Sequence, residues 1–301
     1  MTTIRHHAII IGGSYAGLSA AMALGRSLRD VLILDGGQPC NRQTPHSHNF
    51  LTQDGQTPAA ISQAAKAQAL AYPTVQFKED LVVEALALNG GFQVKTQSGQ
   101  RYLSQKLLLA FGIKDELPAI PGFAECWGIS VLHCPYCHGF EFRGKKTGIL
   151  AKGDRAFHLA SLVSNLSQKV KILSAGPGSF SPSQMEKLAK NGVEVVETEV
   201  SEIRHTDGML SEVLFADGTA EPFDAVYADV PFSLPEKLLQ GLGCKIAESG
   251  RIQVDALQQT NVSGLYACGD CTSMMRSVAS AVHAGNLAGA MINHSLVAES
   301  F

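Results

Sequence analysis

The chain has 301 residues, 45% of them hydrophobic and 17% charged, with a formal net charge of -3 at pH 7, enough for two cores of ordinary domain size. That balance, with no concentrated lysine or arginine block, excludes the electrostatic footprint of a nucleic-acid binder or a polybasic membrane-surface protein. No apolar run reaches the ~18 residues of a membrane helix, and "MTTIRHHAIIIGG" leads straight into a glycine-rich turn, so the cytoplasm is the expected location.

The β-branched run "AIII" at 8–11 gives way to "GGSYAG" and then to "LSAAMALGRSL", a small-residue helix suited to close packing on a sheet. "VLILD" at 31–35 reads as the next parallel strand. This is the βαβ opening of a dinucleotide-binding fold, in which backbone N–H groups at the turn hold a pyrophosphate and an acid at the second strand's end takes a ribose hydroxyl. Gly12, Ser14 and Gly17 occupy the three fingerprint positions, with Gly13 and Ala16 between them, and Asp35, followed by Gly36, fits the acid. The serine departs from the glycine pattern but is small enough to leave it standing.

After the loop "CNRQTPHSHNFLTQDG", Thr57 as N-cap and Pro58 at the first helical position start a helix. "TVQF", "DLVVEALAL", "GFQVKTQ" and "KLLLAFG" are expected to form a meander, and the proline-containing "IKDELPAIPG" a linker. Beyond it, "KKTGILAKGDRAFHLASLVSNLSQKVKILSAG" repeats the strand-turn-helix-strand plan with its first turn glycine replaced by Ala151. Ser181 and Gln184 form a capping box over "SPSQMEKLAKNG", and "VEVVETEV", "MLSEVLFAD" and "DAVYADV" are expected to make a second meander. "GLYAC" followed by Gly269, Asp270 and a long small-residue helix resumes the style of the first domain. The expected fold is therefore α/β, with two Rossmann-like dinucleotide-binding (three-layer ββα) domains, the second inserted into the first. Domain one is placed at 1–115 plus 248–301, and domain two at 116–247.

Between the two halves lies "HCPYCHGFEF", in which Cys134 and Cys137 are two residues apart. A zinc site needs a second ligand pair, and only His133 and His138 are near in sequence, so no metal is expected. The spacing suits a small strained ring that cycles between dithiol and disulfide. A thiol must lose its proton to become a nucleophile, and the adjacent His138 imidazole can accept and return it; His133 is the weaker candidate. Cys268-Gly269-Asp270-Cys271 has the same spacing, but its cysteines read as packing residues, as buried free cysteines commonly are.

Taken together, "GGSYAG" with "LILD", "LLLAFG", the inserted Cys-x-x-Cys and "TNVSGLYACGD" resemble the low-molecular-weight thioredoxin reductases, FAD-dependent disulfide oxidoreductases, over nearly the whole chain. The resemblance implies FAD over Gly12–Gly17, with Arg42, Asn49 and Val82 bordering it and Gly269 and Asp270 on its ribityl chain. It places the helix start at Arg276, Ser277 and Val278 beside the flavin ring, where the positive helix end favours negative charge. It also implies that Cys137 faces the flavin while Cys134 meets the substrate, and that the protein is a homodimer. Thioredoxin reductases proper carry an aspartate where His138 stands, an intact second glycine fingerprint and an arginine pair for NADPH. "CPYCHGFE" with "CNRQTPHSHNF" is more similar to the gliotoxin-type dithiol oxidases and their bacterial relatives. The expected function is thiol-disulfide exchange with a thioredoxin-like protein or a small dithiol, with inefficient NADPH use and room for a second flavin in the second site. NADPH-dependent thioredoxin reduction and a flavin-bound redox sensor without turnover are the alternatives.

Overall fold

The computed structural model describes residues 5–301, which fall into two units, each with its own core. The first comprises the chain up to Arg42, Phe50–Lys114 and Ser233–Phe301; the second comprises Gln43–Asn49 and Asp115–Phe232.

In chain order the first unit begins with β1 (Arg5–Ile11), α1 (Tyr15–Arg26), β2 (Val31–Asp35), α2 (Pro58–Leu70), β3 (Val75–Glu79), β4 (Val82–Leu88), β5 (Gly91–Thr96) and β6 (Arg101–Leu109). The chain leaves it within β7 (Lys114–Asp115). The second unit holds α3 (Phe123–Cys126), β8 (Val131–Leu132), α4 (Pro135–His138), β9 (Thr147–Leu150), α5 (Gly153–Val163), β10 (Val170–Leu173), α6 (Pro182–Lys190), β11 (Glu194–Val196), β12 (Val200–Thr206), β13 (Met209–Phe215), β14 (Ala220–Pro222) and β15 (Ala225–Ala228). The return is within β16 (Phe232–Ser233), and α7 (Glu236–Leu242), β17 (Leu265–Ala267) and α8 (Val278–Ser300) complete the first unit.

The first sheet runs β3-β2-β1-β6-β5-β4, with β17 beside β6. β1 is fully buried from Ala8 to Ile11 because helices or loops cover both faces, which is why its sequence is continuously apolar. On one face α1 packs on α8 at backbone distance: a Cβ on Gly285 would lie 2.0 Å from the Ala16 carbonyl oxygen, and one on Gly289 2.6 Å from that of Ala20. The Ser19 hydroxyl donates to the Val282 carbonyl at 2.7 Å across the same seam.

The second unit has a five-stranded parallel sheet, β11-β10-β9-β15-β8, and a separate antiparallel meander, β12-β13-β14. Both units are thus Rossmann-like, as expected from the sequence. The strand assignments within them need correction. "TVQF" is not part of a meander: β3 pairs parallel with β2, and β6 pairs parallel with β1 while antiparallel with β5. "VEVVETEV" splits between the parallel β11 and the meander strand β12, and "DAVYADV" supplies β15, which is buried on both faces inside the parallel sheet. The second domain boundary also differs, because α7 packs Leu238, Leu239 and Leu242 into the first unit's core with Ile9, Leu32 and Val82, so residues 233–247 belong there.

Candidate functional site

The β1-to-α1 turn is built for close backbone approach. Gly12 adopts φ +108°, and a Cβ there would lie 2.3 Å from the Ala110 carbonyl oxygen. Gly17 lies against Gly12 in the same way, so a side chain at either position would force the turn open. Ser14 is the N-cap of α1 but its side chain makes no capping hydrogen bond, and no acid occupies the first turn. The positive end of a 12-residue helix is therefore presented without an internal anion. Asp35, at the end of β2, accepts from the Gly13 N–H at 2.8 Å through one oxygen and from the Gly37 N–H at 3.2 Å through the other, tying the turn to the strand end. A dinucleotide's pyrophosphate and ribose fit this donor set and this acid.

Gly36 follows at the surface, where a Cβ would lie 2.9 Å from Leu81 beside the buried Val82 at the start of β4. At the C-terminal side, Gly269 takes φ +83° and faces Ala16 of α1, and Asp270 lies 3.6 Å from the Arg276 guanidinium. Ser277 caps α8 by accepting from the Ser280 N–H, which leaves Val278 as the first helical residue. The exposed Cys40, unremarked in the sequence, reaches to 3.9 Å from the Asp270 carboxylate. The structure thus brings together Gly12, Gly13, Ser14, Ala16, Gly17 and Asp35 at one turn, and Gly269, Asp270, Arg276, Ser277 and Val278 at another of the same unit. Arg42 is exposed at the end of a segment of this unit, its guanidinium donating to the Pro39 carbonyl. Asn49, with φ +60°, is grouped instead with the second unit.

In the second unit Cys134 is the N-cap of α4, whose first residue is Pro135. The Cys137 and His138 N–H groups both donate to the Cys134 carbonyl, at 3.2 and 3.3 Å, so the single turn stacks residue 137 over residue 134. His138 is a ring held in the protein: both its nitrogens are buried without a hydrogen-bond partner. Burial pushes its pKa below the ordinary imidazole value, with Glu141 opposing and His48 reinforcing the shift, so the neutral, proton-accepting form is the resting one. His48 lies 3.5 Å from Glu141. Its place in "TPHSHN" is visible in the sequence, but nothing local connects that loop to the cysteine motif.

Cys268 and Cys271 are fully buried, and the Cys271 thiol donates to the Cys268 carbonyl at 3.3 Å. Burial raises the Cys271 pKa to about 12 and moves Cys268 up as well, which removes the thiolate needed for exchange. Among the described residues no three His, Cys, Asp or Glu side chains are grouped as metal ligands.

The second nucleotide-type turn differs from the first in chemistry. α5 carries Asp154 in its first turn, where a pyrophosphate would have to sit, and that carboxylate accepts from the Gln184 side chain at 2.8 Å. Arg155 is committed to Asp229 at 3.0 Å. From Ser174 at the end of β10 to Glu186 there is no arginine or lysine to grip a 2′-phosphate, and Glu197 accepts there from the Gly178 N–H. A cavity of about 440 Å³ remains at the ends of β9, β10 and β15, lined mainly by apolar side chains such as Phe123, Leu150, Leu173 and Val230, with Lys152, Glu116 and Asp229 as its charged lining.

Comparison with known proteins agrees with this architecture. The chain is 32% identical over 305 residues to the thioredoxin reductase tcpT of Claviceps purpurea, covering 97% of this chain and 94% of the relative. It is 30% identical to the thioredoxin reductase aclD of Aspergillus oryzae, covering 93% of each. The crystal structure of an oxidoreductase from Agrobacterium tumefaciens superposes with a TM-score of 0.92 at 37% identity, covering 98% of this chain and 99% of that one. The family model for pyridine nucleotide-disulphide oxidoreductases matches residues 6–286. With two Rossmann-like units, a cofactor-type turn in the first and a Cys-x-x-Cys turn in the second, this chain belongs to the pyridine nucleotide-disulphide oxidoreductase family.

Proposed function

We propose that the protein is an FAD-dependent thiol-disulfide oxidoreductase that moves two electrons between a flavin on the first unit and the Cys134/Cys137 pair. The pair then exchanges with a small dithiol or a thioredoxin-like protein, and NADPH is not an efficient donor. The observation that supports this most strongly is the contrast between two helix starts: α1 offers an uncapped, acid-free N-terminus, while α5 places Asp154 in its first turn. A carboxylate there opposes a second pyrophosphate.

Bound FAD supplies a two-electron carrier that exchanges with a dithiol. In the oxidising direction a substrate thiolate attacks Cys134, the Cys134–Cys137 bond breaks, and Cys137 leaves with the electron pair. The second substrate thiolate displaces Cys134 and closes the substrate disulfide, so two electrons and two protons pass from substrate to the pair. His138, neutral at rest, takes the proton from an incoming thiol and returns it to a departing sulfur. On the first unit, the turn residues Gly12 to Gly17 would hold the pyrophosphate, Asp35 the ribose, and Asp270 with Arg276 the ribityl side.

No described helix is long and apolar enough to cross a membrane. A homodimer, carried from the family resemblance, working in the cytoplasm, the location expected from the sequence, completes the reading. Excess dithiothreitol without NADPH should bleach the visible flavin band of the purified protein anaerobically, and Cys137→Ser should abolish the bleaching; an unchanged wild-type spectrum overturns the flavin-cysteine link.

A second reading, NADPH-dependent reduction, is favoured by the retained cavity at the ends of β9, β10 and β15, where a nicotinamide nucleotide would lie in this fold. Rapid anaerobic flavin reduction by NADPH in stopped flow establishes it.

A further inference from the structure

β15 is an aliphatic strand except at Tyr227, which is 1% exposed and whose hydroxyl is buried with no hydrogen-bond partner. Leaving a buried hydroxyl unmet is destabilising, and phenylalanine would fill the same space without that penalty. The strand's position makes the hydroxyl notable. Tyr227 is the register partner of Leu132 on β8, two residues before Cys134, and of Ile149 on β9. The His138 ring, on the turn that carries both cysteines, also has two buried nitrogens without partners. Two orphaned polar side chains therefore lie one on the Cys-x-x-Cys turn and one beside the strand that leads into it, the phenol packed in an apolar core with Leu132 and Ile149.

A neutral thiol is a weak acceptor and a thiolate a strong one. A donor with no partner while Cys134 is a thiol gains one when that sulfur becomes an anion, which is how preorganised donors serve developing charge. We propose that the Tyr227 hydroxyl, with the His138 ring, is a donor reserved for the Cys134 thiolate, stabilising the charge on this sulfur whenever its thiol ionises for exchange with substrate. The step is a proton transfer alone: the Cys134 S–H bond breaks, the proton passes to His138 or to solvent, and the sulfur keeps the electron pair and one negative charge. This inference rests on Cys134 and Cys137 being the exchanging pair.

The charged and titratable groups that act on the phenol are Cys134, Glu141 and Cys137, and of these Glu141 also acts on His138, together with His48. α5 turns Ala156, Phe157, Leu159, Ala160 and Val163 toward this core, none of them titratable, and β9 presents no titratable side chain. Burial first, and then the negative charge of Cys134, pushes the phenol pKa above its ordinary value, so it stays a donor throughout the range in which thiols titrate.

The test is the pH dependence of iodoacetamide alkylation of Cys134 in the full-length reduced protein, followed by peptide mass spectrometry. It involves no turnover, so it succeeds or fails independently of flavin exchange. Tyr227→Phe should raise the Cys134 midpoint by about one pH unit and slow its alkylation at neutral pH about tenfold, with near-UV circular dichroism unchanged. An unchanged Cys134 midpoint in this variant overturns the proposal, and a fall in thermal stability beside it identifies a hydroxyl satisfied by buried water. A second arm needs no change at Tyr227: in Cys137→Ser protein, ionising Cys134 should perturb the near-UV tyrosine absorption, and the perturbation should vanish in the Cys134→Ser, Cys137→Ser double variant. A tyrosine band indifferent to Cys134 also overturns it.

Discussion

The Arg276 guanidinium stands 3.6 Å from the Asp270 carboxylate, with the two side chains only 11% and 16% exposed. An arginine at the start of a helix reads from sequence as a solvated cation; here it balances the acid that the resemblance assigns to the flavin's ribityl chain. Arg276→Gln should leave that acid uncompensated and weaken FAD binding about tenfold, or about 1.4 kcal/mol. Fluorescence titration of apoprotein with FAD measures it, and wild-type affinity in the variant would show that the pair does not order the site.

Packing of α8 on α1 gives a second prediction. A methyl group on Gly285 has the Ala16 carbonyl oxygen 2.0 Å away, so Gly285→Ala must push the helices apart and should lower stability by about 1–3 kcal/mol. Thermal melting of the apoprotein reads this directly. Since Ala16 is on the cofactor turn, FAD retention should fall in the same variant.

His138 gives a pH prediction whose sign is set by burial. Its folded pKa lies below the unfolded value of 6.5, so the unfolded chain binds more protons in the interval between the two. The associated stability is fully present above pH 6.5 and is lost as pH falls through that interval. Urea melts across the acid range should show this loss in the wild type and a flatter profile in His138→Gln.

The two Cys-x-x-Cys stretches should separate by reactivity. Native protein treated with iodoacetamide at neutral pH should label Cys134 and Cys137 after reduction, and the exposed Cys40, while Cys268 and Cys271 stay unlabelled until the protein is unfolded. Native labelling of Cys271 would contradict its burial.

Much of the first unit is legible because its signals are local. The run "AIII", the turn "GGSYAG" and the acid of "VLILD" lie within 30 residues, and both the capping of Thr57 and the box of Ser181 with Gln184 depend on neighbours three positions away. Strand partnership is not local. "DAVYADV" follows two meander strands and reads as a continuation of them, but β15 is inserted between β8 and β9, whose sequences lie far upstream. Its unbroken burial, from Ala225 to Ala228, marks a parallel interior strand, and the apolar run behind it is the available sign. Tyr227 escapes notice for a related reason: a tyrosine among aliphatic residues reads as core, and only the tertiary structure shows that its hydroxyl has nothing to bind. The grouping of residues 43–49 with the second unit has no compositional mark at all.

One helix sets a schedule for biosynthesis. Ala288, Ile292 and Leu296 of α8 share a core with Ala8 and Ile10 of β1, so β1 waits for partners translated about 280 positions later (288 minus 8). Until then the nascent chain carries an apolar sheet face and an unfinished cofactor cradle, whereas residues 115–232 have their own parallel sheet available far earlier. The ribosome thus delivers the thiol-bearing body first, and the cofactor-type turn gains its α8 support only after that helix has emerged from the exit tunnel.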